Sequence, residues 1–430
     1  MSNFDSKNDD AWEKLFKKHH ILDKIASDGQ FIITAKEINE YREARLMTKF
    51  DHRRNLPTLF HRNKLAILPL TRGSYTISHY QVYHKFEENE SPIIEVPYPS
   101  YIQSINWEQI TSESTAINVA YISNMLADFI GEEGLVPTVN GRMSSDQFSF
   151  DIFNQKSKTN HHLQVKNSQI EIDGGFEGFD SLSLIEAKNS LSDDFLIRQL
   201  YYPFRLWKNK VHKRVRPVFL TYSNGIFSLY EYQFTDESNY NSIALLKANR
   251  YALKQDPIEI DDIVDISQTI SFVEEPELPF PQANSFLRVI NLCEILLERN
   301  YMTNDDITSK YDFDERQTDY YTNAGRYLGL IEKDRLDGNI IYKLTKLGYS
   351  VMNSVIRERN LKLVRLILQH KVFHKIFKYY LTNSNFPEPD VYVSIMKDSN
   401  LYNIVKHSTY IRRSSTITNW INWIFSLIRD

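Results

Sequence analysis

The sequence predicts an α/β fold, a mixed sheet flanked by helices, followed by a mostly helical C-terminal domain. Three observations carry this expectation. Strand-like alternation and helix-like spacing interleave between residues 113 and 222. Three prolines among acids, in Glu274-Glu275-Pro276-Glu277-Leu278-Pro279-Phe280-Pro281, mark a boundary, because proline can join neither a helix interior nor a central strand. Beyond it the pattern is helical, with a single hairpin signal at Asp337-Gly338-Asn339.

Taken in order, Trp12 to Ile25 and Thr34 to Lys49 read as helices, the second opened by Thr34 with Glu37 three residues on. A basic link containing Arg53 and Arg54 leads to strands at Ala66 to Leu70 and Tyr75 to Phe86. From Glu113 to Gly131 the residues Ile117, Ala120, Tyr121, Met125, Leu126 and Phe129 recur at helical spacing. Strands then follow at Phe148 to Phe153, His162 to Asp173 and Leu182 to Lys188. Asp194 to Trp207 reads as a helix interrupted at Pro203, and Pro217 to Tyr222 as a short strand. After the proline-rich stretch come helices at Ser285 to Arg299, Thr303 to Ser309 and Asp314 to Gly329, then a hairpin from Leu330 to Leu344: a winged helix-turn-helix pattern. Residues 349–430 read as helical, with a basic amphipathic stretch from Arg357 to Lys378, and they resemble a second helix-turn-helix-like unit.

This divides the chain into an N-terminal α+β extension (1–105) suited to DNA contact or dimerisation, a core (106–275), a proline-rich linker (276–284), the winged helix (285–348) and the helical remainder (349–430).

Composition narrows the class. With 42% hydrophobic and 25% charged residues the 430-residue chain is an ordinary globular protein, long enough for two or three domains. Its single cysteine, Cys293, excludes a disulfide scaffold or multi-cysteine zinc site and fits a reducing cytoplasm. No stretch approaches the roughly 20 apolar residues that span a bilayer, so a cytoplasmic protein without membrane contact is expected. A net charge of −4 leaves nucleic-acid binding to local clustering. No phosphate-binding Gly-x-x-x-x-Gly-Lys-Ser/Thr loop is present, which argues against an NTP-driven motor.

The stretch with the most chemistry is Gln169 to Glu177 followed by Ser183 to Asn189. Alternation places Glu171 and Asp173 on one face of the first strand, with Gly174-Gly175 ending the extended run, and Glu186 and Lys188 on one face of the second. Carboxylates beside a lysine suit phosphodiester cleavage: hard oxygen ligands hold Mg2+ next to the phosphate, and the lysine orients or deprotonates the attacking water.

These residues resemble the PD-(D/E)XK nuclease superfamily, with Asp173 at the first acid and Glu186-Ala187-Lys188 as the (D/E)XK element. The helix-strand-strand-strand-helix-strand order agrees, although Ile172 stands where the proline is usually written. Asp173 continues the strand alternation whereas Glu177 lies past the glycines, so Asp173 is preferred as first acid and Glu177 is the alternative. The resemblance implies Asp173, Glu186 and Lys188 as catalytic residues, Asp173 and Glu186 as Mg2+ ligands, and Glu113 and Gln199 as auxiliary groups from the flanking helices. It covers about residues 113–232.

For DNA binding, the third helix of the winged unit offers Arg316, Gln317, Tyr320, Asn323 and Arg326 to base edges or phosphates. The run Arg205, Lys208, Lys210, Lys213, Arg214 and Arg216 is the candidate phosphate-contacting flank of the core. A metal-dependent nuclease core fused to a winged helix looks like a type II restriction endonuclease. That implies sequence-specific hydrolysis of double-stranded DNA leaving 5'-phosphates, a partner DNA methyltransferase, and either a homodimer or sequential nicking. A structure-specific repair nuclease and a non-enzymatic winged-helix regulator are the alternatives.

Overall fold

The computed structural model describes residues 7–310, 315–336, 338–404 and 406–428, with backbone only for Ser309, Lys310, Glu315 and Arg316. Asp337, expected at the hairpin turn, lies outside the described residues. No helix among them is long and apolar enough to cross a membrane.

The fold is mixed α/β and centres on a seven-stranded sheet. Its elements are β1 (Ile93–Val96), α1 (Glu113–Ile122), β2 (Val136–Ser144), β3 (Gln169–Glu177), β4 (Ser181–Lys188), α2 (Arg198–Lys208), β5 (Arg214–Ser223), β6 (Ile226–Phe234) and β7 (Ile243–Leu253). The spatial order is β1-β7-β6-β5-β4-β3-β2. Strands β2, β3 and β4 run antiparallel to their neighbours, and β4 then pairs parallel with β5 through the α2 crossover, with Ser181 opposite Arg214 and Lys188 opposite Thr221.

Strand β4 lies at the centre of this core. Leu182 and Leu184 join the apolar cluster of α2 on one face, while Ile185 and Ala187 join that of α1 on the other. Covered on both sides, it reads as a nearly continuous apolar run. The glycines of β3 do not end the strand, contrary to the expectation. It continues to Glu177, and a Cβ at Gly175 would lie 2.6 Å from the Cβ of Val139, so glycine there permits close approach of β2.

Several sequence expectations divide where the backbone turns left-handed. The helix from Glu113 breaks at Asn124 (φ 61°), and that from Trp12 at His20 (φ 51°). The expected strand from His162 to Asp173 breaks at Asn167 (φ 52°). Its first half, Thr159–Lys166, forms a separate hairpin with Gln147–Asn154. Asp194–Leu196 is a short strand against Tyr83–Lys85, so the following helix begins at Arg198 and contains Pro203.

Residues 11–77 have a core of their own around Trp12, Phe16, Phe60 and Ile77. The C-terminal region contains α3 (Phe286–Arg299), α4 (Asn304–Lys310), α5 (Glu315–Tyr327), β8 (Ile331–Leu336), β9 (Asn339–Leu344) and α6 (His407–Ser426). With Met302–Thr303 as a third strand, β8 and β9 form a small antiparallel sheet that follows α3, α4 and α5 in the chain. One apolar cluster joins this unit to the following helices, from Val289 and Tyr321 to Phe373 and Trp420. The proline-rich segment is part of it: Phe280 stacks on Phe373 and the Trp420 indole donates to the Ala283 carbonyl at 2.7 Å. The helix Ile260–Thr269, expected with the core, also buries Ile263 and Ile266 in this cluster.

Candidate active site at the end of strand β4

The β3/β4 register pairs Ile185 with Gly174, and one step further sets Glu186 beside Asp173. The Asp173 carboxylate accepts from the Ala187 backbone N–H at 2.9 Å, which fixes it against the Glu-Ala-Lys element. Lys188 Nζ donates to Glu186 at 2.6 Å and to the Ala187 carbonyl at 3.1 Å. From α2, Gln199 donates to the same Glu186 oxygen at 2.5 Å. Glu113, the first residue of α1, acts electrostatically on Lys188. The structure therefore brings Asp173, Glu186, Lys188, Glu113 and Gln199 to one place.

Glu177 is not among them. It pairs opposite Leu182, four residues up the strand or about 13 Å away at 3.3 Å per residue, and it accepts from Lys213 at 2.7 Å. Glu171 turns outward to Arg142 at 3.2 Å.

Burial pushes the Glu186 carboxyl up to about 8, with Asp173 and Asp51 adding to the rise and Lys188 opposing it. Burial would lower Lys188, but the surrounding carboxylates, Glu186 first and then Glu113, Asp51 and Asp173, hold its ammonium well above the usual lysine range. A lysine held protonated is suited to neutralising charge and orienting water, not to removing a proton.

Asp51 carries no sequence signal. It precedes the buried His52, whose Nδ1 lies 2.7 Å from the Asp194 carbonyl, and Arg53 N–H donates to the Asp194 carboxylate at 3.3 Å. The N-terminal region thereby seats a fourth carboxylate near Glu186 and Lys188, with Asp51 Oδ1 buried and without a hydrogen-bond partner among the described residues. An acid in a basic loop does not announce a site 135 residues away in sequence.

Does this set suit a divalent cation? Among the described residues, no group of three or more His, Cys, Asp or Glu forms a ready-made cage. Magnesium does not require one, since it keeps several waters and is commonly bound by one or two carboxylates. Asp173 and Glu186 supply those, and the Ala187 carbonyl adds a hard oxygen on the same edge. Among the described residues the buried Gln199 Oε1 and Asn189 Oδ1 find no hydrogen-bond partner, and a buried polar atom of that kind favours a polar ligand. The residues fit Mg2+.

The expected phosphate-binding flank lies elsewhere. Lys208, Lys210, Lys213 and Arg214 follow Lys188 in sequence, but β5 runs parallel to β4, so Arg214 sits opposite Ser181 at the far end, about 23 Å along the strand. Each is already paired: Lys208 with Glu237, Lys210 with Asp146, Lys213 with Glu177 and Arg214 with Glu231. Arg216 is buried against Glu231, and Arg205 donates to the Ser149 and Glu237 carbonyls.

On α5, the Arg316 side chain lies outside the described residues. Gln317 accepts from Arg54 at 2.8 Å, at the junction with the core, where Asp193 also receives Arg54 and Arg288. Asn323 and Arg326 bond to each other at 3.0 Å, and Tyr320 is 37% exposed. On β9, Lys343 is paired with Asp334.

Three family models match, each described as a domain of unknown function: DUF6996 over residues 9–77, DUF6997 over 78–252 and DUF7226 over 288–429. The first spans the N-terminal core, the second nearly the whole seven-stranded sheet, and the third most of the C-terminal cluster, whose Ile263, Phe280 and Ala283 lie outside it. No curated protein and no solved structure matches the chain.

Proposed function

We propose that the chain is a Mg2+-dependent DNA endonuclease of the PD-(D/E)XK type, acting as a type II restriction enzyme on double-stranded DNA. The observation that carries this is the Asp173 carboxylate anchored on the Ala187 N–H between Glu186 and Lys188, on adjacent strands of a β2-β3-β4-α2-β5 unit. When bound by Asp173 and Glu186, the metal ion supplies Lewis-acid stabilisation of phosphoryl charge and a more acidic water.

The chain's own residues do the rest. Gln199 and Lys188 hold the Glu186 carboxylate in one orientation, and the Ala187 N–H does the same for Asp173. In this reading the Lys188 ammonium compensates charge on the scissile phosphate and orients the attacking water. The water oxygen bonds to phosphorus as the bond to the 3'-oxygen breaks; the water gives up a proton, the departing 3'-oxygen takes one up to become the 3'-hydroxyl, and a 5'-phosphate remains. The winged helix adjoining the site supports sequence recognition, and the absence of a nucleotide-binding loop supports cutting without a motor. A restriction activity would require a DNA methyltransferase to protect the host's own sites.

The test is incubation of supercoiled plasmid with Mg2+ alongside Glu186→Ala and Lys188→Ala. Discrete fragments from the wild type only are expected. Cutting confined to forks or flaps would replace restriction with a structure-specific activity, and identical behaviour of all three proteins would overturn the nuclease assignment.

A further inference from the structure

The C-terminal helix α6 carries an arginine pair to which no carboxylate among the described residues is bonded. Arg412 and Arg413 converge on one oxygen: with the Gln282 amide turned to satisfy its neighbours, Arg413 donates to it through both terminal nitrogens at 2.8 and 3.0 Å and Arg412 through one at 2.9 Å. The same amide's nitrogen donates to the Tyr320 hydroxyl at 3.0 Å on the exposed face of α5. An amide oxygen satisfies donors but cancels no charge. Among the described residues no carboxylate acts on Arg413, whose like-charged neighbour is Arg412, and α6 contains no acidic residue.

The pair is also held rigidly. Ala283 and Asn284 bind α6 through Trp420 and Thr416, at 2.7 and 2.9 Å, which fixes Gln282 against it. Two adjacent guanidiniums repel each other, and burial together with Arg412 pushes Arg413 down to about 10. A structural ion pair would have placed an acid here, as it does for the basic residues at the far end of β4. The arrangement instead leaves several forked donors open to an anion, and guanidinium matches phosphate geometry in two-point contact.

We propose that Arg412 and Arg413, positioned by Gln282 beside Tyr320, seat a backbone phosphate of duplex DNA next to α5. This rests on the chain's being a DNA-binding protein and assigns phosphate contact to the C-terminal helix in place of the basic run after β4. Phosphate contacts of this kind set the register of a recognition helix without reading sequence.

The experiment measures binding of a fluorescein-labelled DNA duplex by anisotropy in EDTA, across salt, for wild type, Arg412→Gln/Arg413→Gln and Arg412→Lys/Arg413→Lys. Losing one neutralised phosphate should reduce the slope of log affinity against log salt by about 1, so the glutamine variant loses roughly three- to fourfold more affinity at about 50 mM salt than at about 200 mM. The lysine variant should keep the wild-type slope. Thermal melts identify a double glutamine variant that does not fold, in which case Arg412→Gln and Arg413→Gln made singly should each lower the slope, by no more than about 1. Equal slopes in all folded proteins overturn the phosphate seat even if the wild type cuts DNA. The expected slope change in a protein that never cuts keeps the seat and removes the nuclease assignment. A wild type that binds no duplex overturns both.

Discussion

Glu186→Gln separates the site's chemistry from its cost to the fold. Glutamine keeps the oxygen to which Lys188 and Gln199 donate, and removes the charge. Burial lifts the carboxyl from 4.5 to about 8 in the folded chain. Between those values the folded protein holds a proton that the unfolded chain has released, so wild-type stability falls as pH rises from about 4.5 to about 8 and levels off above. At about 1.4 kcal/mol per pH unit the rise sets a ceiling of about 5 kcal/mol. Because Glu186 and Lys188 ionise as a pair, the expected span is on the order of 2–3 kcal/mol. The variant lacks this loss, so its advantage over wild type should widen with pH. At about 2–4 °C per kcal/mol, thermal melts should show the gap in Tm opening by roughly 4–12 °C between about pH 5 and about pH 8. A gap that stays constant, or wild type gaining on the variant as pH rises, would refute the view of Glu186 as a buried carboxylate awaiting a cation.

Three further outcomes follow from the geometry. Asp173→Ala should abolish Mg2+-dependent cleavage while Glu177→Ala leaves it within about threefold, since only Asp173 reaches the Ala187 N–H; equal loss in both would remove the distinction between them. Asp51→Asn removes a charge that raises Glu186, so the acid limb of the cleavage rate against pH should move to lower pH, and an unmoved limb would sever Asp51 from the site. Gly175→Ala drives a Cβ to 2.6 Å from that of Val139 and should cost about 1–3 kcal/mol in denaturant melts, recovered in large part by Val139→Ala; a neutral single substitution would contradict the close β2/β3 contact.

The candidate site was legible because its signal is local. The two-residue period of a strand puts Glu186 and Lys188 on one edge whatever the rest of the chain does, and the apolar run before them identifies a buried strand. What stayed hidden depends on register and crossover direction. Lys208 to Arg214 lie close to Lys188 in sequence but at the opposite end of the sheet, because the α2 crossover returns the chain to the start of β4. Asp51 is brought in by His52 and Arg53 bonding to Asp194, a long-range contact that no local pattern encodes. The proline-rich segment has the composition of a linker, yet Phe280 and Ala283 are buried in the C-terminal core. Broken helices and strands were missed for a different reason: single residues such as His20 and Asn167 take left-handed conformations that side-chain periodicity does not record.

The most direct measurement is a digest of plasmid DNA of known sequence with the purified chain, with and without Mg2+, followed by sequencing of the fragment ends. The account predicts discrete, Mg2+-dependent fragments with 5'-phosphate ends from wild type and none from Glu186→Gln. Intact plasmid under every condition, or the same fragments from both proteins, would contradict it.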